Sequence, residues 1–328
     1  MACLMAESKF TRQITSITDL KAVLNTPNRA VPFLKRIYDS LILNGTAFLA
    51  FRNKEATIYY AGNQLCNLVE KEAYFPTVYD RYLPLIRSKV LTTKKAKSIT
   101  EAEWLTDAGI SRKTLLDVLP EILDNIEKDK APESFQASRF YYFSPLAAGR
   151  DHNIVLLDVE AAFATENERE RIDLVFYNKN EQRLMFIEVK RLYDNRWNHK
   201  TVIDNNGKKS YTVDTREVLD QMEKYRDRLK TESGKIIEQY NRVISYYNEL
   251  SGSNMPPIVD DSYVLGLLLV EFTSSKEDRE RVKIIRGAFK QKGFNVSAIG
   301  DTKSLTANKS DLSAPDRSLD KIYNNLKK

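Results

Sequence analysis

The stretch "SYVLGLLLVEFT" (262–273) limits the possible folds more than any other part of the chain. From Tyr263 to Val270 it carries no charge. It is too short to cross a membrane, which takes about 20 apolar residues, and it lacks the alternation of a strand with one wet face. It therefore reads as a strand buried on both sides, the type found inside α/β sheets. Flanking segments supply the cover. Residues 215–250 predict one long helix opened by "DTRE", an acidic cap with a glutamate three residues on. Residues 277–292 predict another helix, and "FNVSAIG" (294–300) predicts a short strand.

Upstream, "SRFYYFS" (138–144), "NIVLLDVEAAFA" (153–164), "RIDLVFYN" (171–178) and "RLMFIEVKRL" (183–192) are rich in branched and aromatic residues and predict four more strands. The N-terminal part has a different texture. Residues 17–43 show helical spacing interrupted near Pro27, residues 46–62 alternate like a hairpin, and residues 101–127 suggest two helices joined at Gly109, the second capped by Ser111. A charged stretch with a proline, "KDKAPES" (128–134), marks the expected boundary. The expected organisation is a mixed, mainly helical region over 1–130, an α/β domain with a mixed sheet core flanked by helices over 131–303, and a polar tail with one short helix over 304–328.

Composition excludes several classes. An apolar share of 42% with 29% charged residues is that of a globular chain. No run of about 18 apolar residues suggests a membrane span, and "MACLMAESKFTRQ" turns polar too soon for a secretory leader. With only Cys3 and Cys66, neither a disulfide framework nor a cysteine zinc site can be built, so a cytoplasmic setting is expected. His152 and His199 are too few for a histidine metal cluster and read as loop residues. Neither a Walker loop nor G-x-G-x-x-G occurs. A net charge of +6 and a pI near 9.0 tilt the chain toward polyanions. The positive charge concentrates at 92–98 and 279–293, runs that also suit ordinary solvated faces.

The charges inside the predicted strands need an explanation. In "FIEVK", Glu188 and Lys190 share one face while Ile187 and Val189 share the other. A hairpin centred between Asn180 and Glu181 sets Asp173 opposite Glu188, with Cβ atoms about 4.5 to 5.5 Å apart. Two like charges so close call for a cation. A divalent ion with oxygen ligands, Mg²⁺ or Mn²⁺, meets that need, and Mg²⁺ uses one or two carboxylates plus substrate phosphate oxygens. Lys190 then stands ready to orient the attacking water and neutralise developing charge, and the Val189 carbonyl offers a further ligand.

This pattern, an aspartate followed about 15 residues later by E-x-K on adjacent strands, resembles the PD-(D/E)xK nuclease superfamily, with Ile172 in place of the proline before Asp173. The similarity covers roughly residues 138–300. It implies a restriction-endonuclease-like core and a Mg²⁺- or Mn²⁺-dependent endo- or exodeoxyribonuclease acting on nucleic acid, expected to be DNA. Such enzymes often serve in prokaryotic defence or restriction. RecB-like members carry Q-x-x-x-Y after E-x-K, matched by Gln221 and Tyr225 in "QMEKY", four residues apart on one helical face. The same residues also fit a plain apolar stripe with Val218, Met222 and Leu229. The superfamily often adds an upstream acid. Glu160 is the candidate, diagonal to Asp173 if the two strands pair as expected, and Glu121 on a preceding helix is the alternative. Double-strand cutting would suit a homodimer, and the N-terminal region is left to choose substrate or protein partner. A second reading makes the chain a non-catalytic DNA-binding or scaffolding protein, in which "DAGISRKTL" (107–115) acts like a helix-turn-helix.

Overall fold

The computed structural model describes residues 10–26, 31–70, 74–83, 98–100, 114–129, 131–149, 151–164, 169–259, 261–300 and 313–328. Its contacts divide the chain into two units. The N-terminal unit comprises Thr11–Asp151 and Asn241–Met255; the C-terminal unit comprises His152–Tyr240 and Pro256–Lys328, joined by Phe10. The boundary falls after Asp151, not near residue 130.

The N-terminal unit corrects the expectation of a mainly helical region. It opens with α1 (Ile17–Asn25), whose Ser16 cap accepts the Asp19 amide at 3.1 Å, and α2 (Pro32–Ile37), which continues as a π turn over Tyr38–Ile42. Five antiparallel strands follow in sequence order: β1 (Ala47–Arg52), β2 (Glu55–Tyr60), β3 (Asn63–Glu70), β4 (Tyr74–Tyr79) and β5 (Ser98–Thr100). The expected hairpin is β1–β2. Strands β3 and β4 escaped notice because polar residues interrupt one and Pro76 sits in the other. Helix α3 (Leu119–Lys128) is the described part of the expected helix pair; Gly109, Ser111 and most of "DAGISRKTL" lie outside the described residues, as do Pro27 and residues 92–97.

"SRFYYFS" is not a strand. Helix α4 (Pro132–Ser138) starts on a proline that suits a first helical turn and runs into a 3-10 turn over Arg139–Phe143. Phe140, Tyr141, Tyr142 and Phe143 are all buried, which a strand with alternating faces would not require.

In the C-terminal unit, β6 (Ile154–Ala164), β7 (Arg169–Asn178) and β8 (Arg183–Arg191) form an antiparallel meander. After β8 comes an unexpected two-stranded ribbon, β9 (Asn198–Ile203) and β10 (Lys209–Asp214). The expected long helix is broken at Glu232 into α5 (Arg216–Thr231) and α6 (Ser233–Ser251), which belongs to this unit as far as Tyr240 and to the N-terminal unit from Asn241; its cap is Thr215, while Asp214 is paired with Arg216. Strand β11 (Tyr263–Val270) then lies parallel to β8 on one side and to β12 (Asn295–Gly300) on the other, with α7 (Lys276–Gln291) between them in sequence. The sheet order is β12-β11-β8-β7-β6, a mixed sheet in an α/β unit, and the uncharged strand β11 is interior to it.

Residues 313–327 are no loose tail. Helix α8 (Ser313–Lys327) buries Leu319, Ile322, Tyr323 and Leu326. Gly266 of β11 makes room for it, since a Cβ there would lie 2.5 Å from the Leu326 side chain. Gly266 pairs with Ile187, so α8 covers the face carrying Ile187 and Val189, and α5 covers the face carrying Glu188 and Lys190. No described helix is long and apolar enough to cross a membrane.

Candidate active site

Residues Leu174–Asn178 of β7 pair with Ile187–Arg183 of β8, in the register that sets Asp173 level with Glu188. The β7–β8 ladder ends at Leu174 and Ile187. Beyond that point β7 bonds to β6 and β8 to β11. Asp173 fills the opening: its Oδ2 accepts the Val189 amide at 2.7 Å, taking the place of a strand carbonyl.

Glu188 and Lys190 are 2% and 1% exposed, and Asp173 is half-buried. The Lys190 ammonium donates to Glu188 Oε1 and, at 3.2 Å, to the Val189 carbonyl. From above, α5 adds two more residues. Its apolar stripe of Val218, Leu219, Met222, Tyr225 and Leu229 is buried, which turns Gln221 toward the sheet. Gln221 Nε2 donates to Glu188 Oε1 at 3.0 Å and to the Tyr225 hydroxyl at 2.6 Å, and that hydroxyl donates to the Arg171 carbonyl. Tyr225 thus belongs both to the apolar stripe and to the polar chain.

Glu188 Oε1 therefore has two donors, whereas its buried Oε2 has no hydrogen-bond partner among the described residues. Burial first, and the Asp173 charge second, push the Glu188 carboxyl up to about 8, against the downward pull of Lys190. Burial also raises Asp173, opposed by Lys190 and by the Val189 amide. The Tyr225 hydroxyl is raised by burial and by the Glu188 charge. Fully ionised, Asp173, Glu188 and Lys190 carry one negative charge more than they neutralise.

Glu160 is placed differently from the expectation. Val159 pairs with Leu174 and Ala161 with Ile172, so Glu160 stands level with Asp173, not diagonal to it. Its backbone is left-handed, at φ 45°, uncommon outside glycine. Its carboxylate forms a salt bridge with Arg171 at 3.2 Å. Glu121 is exposed in the first turn of α3, in the N-terminal unit. The structure thus gathers Asp173, Glu188, Lys190, Gln221 and Tyr225 into one bonded or charge-coupled group, and gives Glu160 an arginine partner.

No family model and no curated protein matches this sequence.

What the group can hold follows from its own chemistry. Among the described residues there is no cluster of three or more His, Cys, Asp and Glu side chains suited to a metal. Asp173 and Glu188 are a two-carboxylate set, which suits Mg²⁺ with substrate oxygens and water completing its shell. The buried Oε2 of Glu188 has no hydrogen-bond partner among the described residues, and together with the Asp173 carboxylate it makes a donor set that fits such an ion. The Val189 carbonyl, the other expected ligand, accepts a bond from Lys190.

A cavity of about 880 Å³, lined by Tyr193, Asp194, Arg196, Trp197, His199 and Arg216 among others, is linked to the group through the Arg196 charge, which acts on Asp173 and Glu188. Sequence reasoning missed Arg196. Asp194 grips it through its amide at 2.8 Å, Nε at 2.9 Å and Nη2 at 3.1 Å, and the Arg196 charge pulls Asp173 and Glu188 downward against the larger upward push of burial. The available signal was "DNR" directly after the E-x-K strand, a turn-forming pair followed by an arginine. His199 lies on β9, not in a loop, with Nε2 2.7 Å from the Leu192 carbonyl. His152 lies in a loop, as expected, and is buried.

Proposed function

We propose that this chain is a Mg²⁺- or Mn²⁺-dependent nuclease that hydrolyses phosphodiester bonds in DNA, with a core of the PD-(D/E)xK kind. The observation that carries this reading is the pairing of half-buried Asp173 with buried Glu188, with Glu188 Oε2 lacking a partner among the described residues and the Lys190 ammonium held on the same face. Asp173 and Glu188 would hold the ion; when bound, it would supply charge neutralisation at the scissile phosphate. Lys190 would hold a water by hydrogen bonding and offset negative charge that grows as the P–O bond breaks. Gln221 and Tyr225 fix the Glu188 carboxylate from above, which leaves Oε2 as its open oxygen. Arg196, already fixed by Asp194, faces the open cavity where a phosphate would lie. The resemblance of D…E-x-K and Q-x-x-x-Y to nuclease motifs points the same way, and defence or restriction remains its expected setting by that analogy.

The test is cleavage of plasmid and single-stranded DNA with Mg²⁺, Mn²⁺ or EDTA, comparing the native chain with Asp173→Ala and Lys190→Ala. Metal-dependent cutting abolished by either substitution is expected. Cutting in EDTA, or cutting unaltered in both variants, would overturn the reading; binding without cutting under every condition would favour a non-catalytic DNA-binding protein.

A further inference from the structure

The ribbon β9–β10 follows the E-x-K strand and, among the described residues, pairs as a two-stranded sheet of its own, from Asn198 opposite Asp214 to Ile203 opposite Lys209. Every residue from 200 to 210 is exposed. Such a ribbon lacks a core of its own, and two strands alone are marginal in water. Its base is nevertheless anchored. The buried Arg281 of α7 donates to Thr201 Oγ1 at 3.1 Å and lies 5.2 Å from the Tyr211 ring. The tip is ordered as well: Asp204 Oδ1 accepts the Asn206 and Lys208 amides at 2.9 and 2.8 Å, and Gly207 takes φ 73°.

Alternation assigns the two faces. Thr201 and Tyr211 point toward Arg281, so Lys200 and Val202 of β9, with Ser210 and Thr212 of β10, point away. Asn198 and Asp214, on that same outward face, line the open cavity. The outward face thus runs into the cavity lined by Arg196, whose charge acts on Asp173 and Glu188.

Taken over both faces and the tip, with Lys200 and Val202 on the outward face and Ile203 and Lys209 on the other, the ribbon has a distinctive chemistry. Among the described residues the exposed large hydrophobic side chains are Tyr193, Val202, Ile203 and Val259, and three of these four lie on the ribbon or just before it. Lys200, Lys208 and Lys209 form no ion pair among the described residues, while Asp214 is neutralised by Arg216 and Asp204 is bound by turn amides. A two-stranded ribbon has the width of the DNA major groove, where serine and threonine hydroxyls meet base edges and apolar groups meet thymine methyls. Edge lysines also discourage pairing with a second copy.

We propose that β9–β10 is a DNA-binding arm that enters the major groove of a duplex and leads its backbone into the cavity lined by Arg196. This rests on the nuclease reading for its direction, but not for its test. Binding of fluorescent duplex and single-stranded oligonucleotides to the full-length chain in EDTA, by anisotropy across a salt series, separates the two. The exposed substitutions Lys200→Ala with Lys208→Ala should weaken duplex binding about tenfold and flatten the salt slope by about two, with single-strand binding changed less than about threefold. Val202→Glu should weaken duplex binding further. Unchanged duplex affinity and slope would overturn the arm, as would equal losses for duplex and single strand. A wild-type dimer that dissociates on Val202→Glu in sedimentation would also overturn it, marking a self-interface. If the native chain cuts no DNA under any metal condition yet the lysine variants lose duplex binding, the nuclease reading falls and the arm stands.

Discussion

Replacing Glu188 by glutamine should stabilise the metal-free protein in alkaline solution. A carboxyl whose folded pKa exceeds its unfolded value keeps its proton longer when folded. Its stabilising contribution is complete below the unfolded value near 4.5 and is lost as pH rises through about 8. At about 1.4 kcal/mol per unit, that displacement sets a ceiling of about 5 kcal/mol on the cost of ionising Glu188 in the fold. Glutamine keeps the shape and the Oε1 acceptor for Lys190 and Gln221, and it leaves Asp173 and Lys190 balanced in charge. Urea unfolding should therefore show Glu188→Gln near wild type at pH 5 and about 2 to 4 kcal/mol more stable at pH 9. The buried Trp197 lies in the C-terminal unit, and a Trp104→Phe background leaves it as the sole tryptophan reporter. Saturating Mg²⁺ at a hundredfold excess over Kd adds about 2.7 kcal/mol to any state that binds it; wild type should gain this at pH 9 and the variant should not. Parallel pH profiles for the two proteins would refute the electrostatic argument, and equal Mg²⁺ stabilisation would refute the assignment of the open carboxylate oxygen.

Three other substitutions probe the same unit. Lys190→Met leaves two carboxylates with no ammonium and should cost about 3 to 5 kcal/mol near neutral pH, less in acid, measured by the same unfolding. Tyr225→Phe removes the bond to the Arg171 carbonyl and one partner of Gln221, at about 1 kcal/mol, with a fall in cleavage rate larger than that modest loss would explain. Gly266→Ala should destabilise by about 1 to 3 kcal/mol through its clash with Leu326, and adding Leu326→Ala should make the pair less harmful than the two single costs added together, read as a double-mutant cycle.

The sheet was legible where burial leaves a strong pattern. The unbroken apolar run of β11 and the alternation in β7 and β8 each carry a face assignment, and the symmetric turn across Asn180 and Glu181 fixes the register of Asp173 against Glu188. Pairing of β6 with β7 was not legible, because the irregularity between Leu156 and Asp158 and the left-handed Glu160 break the two-residue period on which such arithmetic depends. The aromatic run at 140–143 misled for a related reason: propensity reports a liking for half-buried surface, and here four consecutive rings found burial in a tight turn. The ribbon β9–β10 escaped because its strands are exposed and carry no apolar face. Arg196 escaped because a clamped arginine looks like any other charge in a turn.

The bond between Asp173 Oδ2 and the Val189 amide gives the site a built-in spectroscopic reporter. That amide is protected by a side chain, not by the β7–β8 ladder that ends just before it. Its exchange rate and chemical shift should therefore follow the charge and occupancy of Asp173, while the ladder amides around it remain indifferent. One backbone resonance could report what the carboxylates hold, with no turnover required.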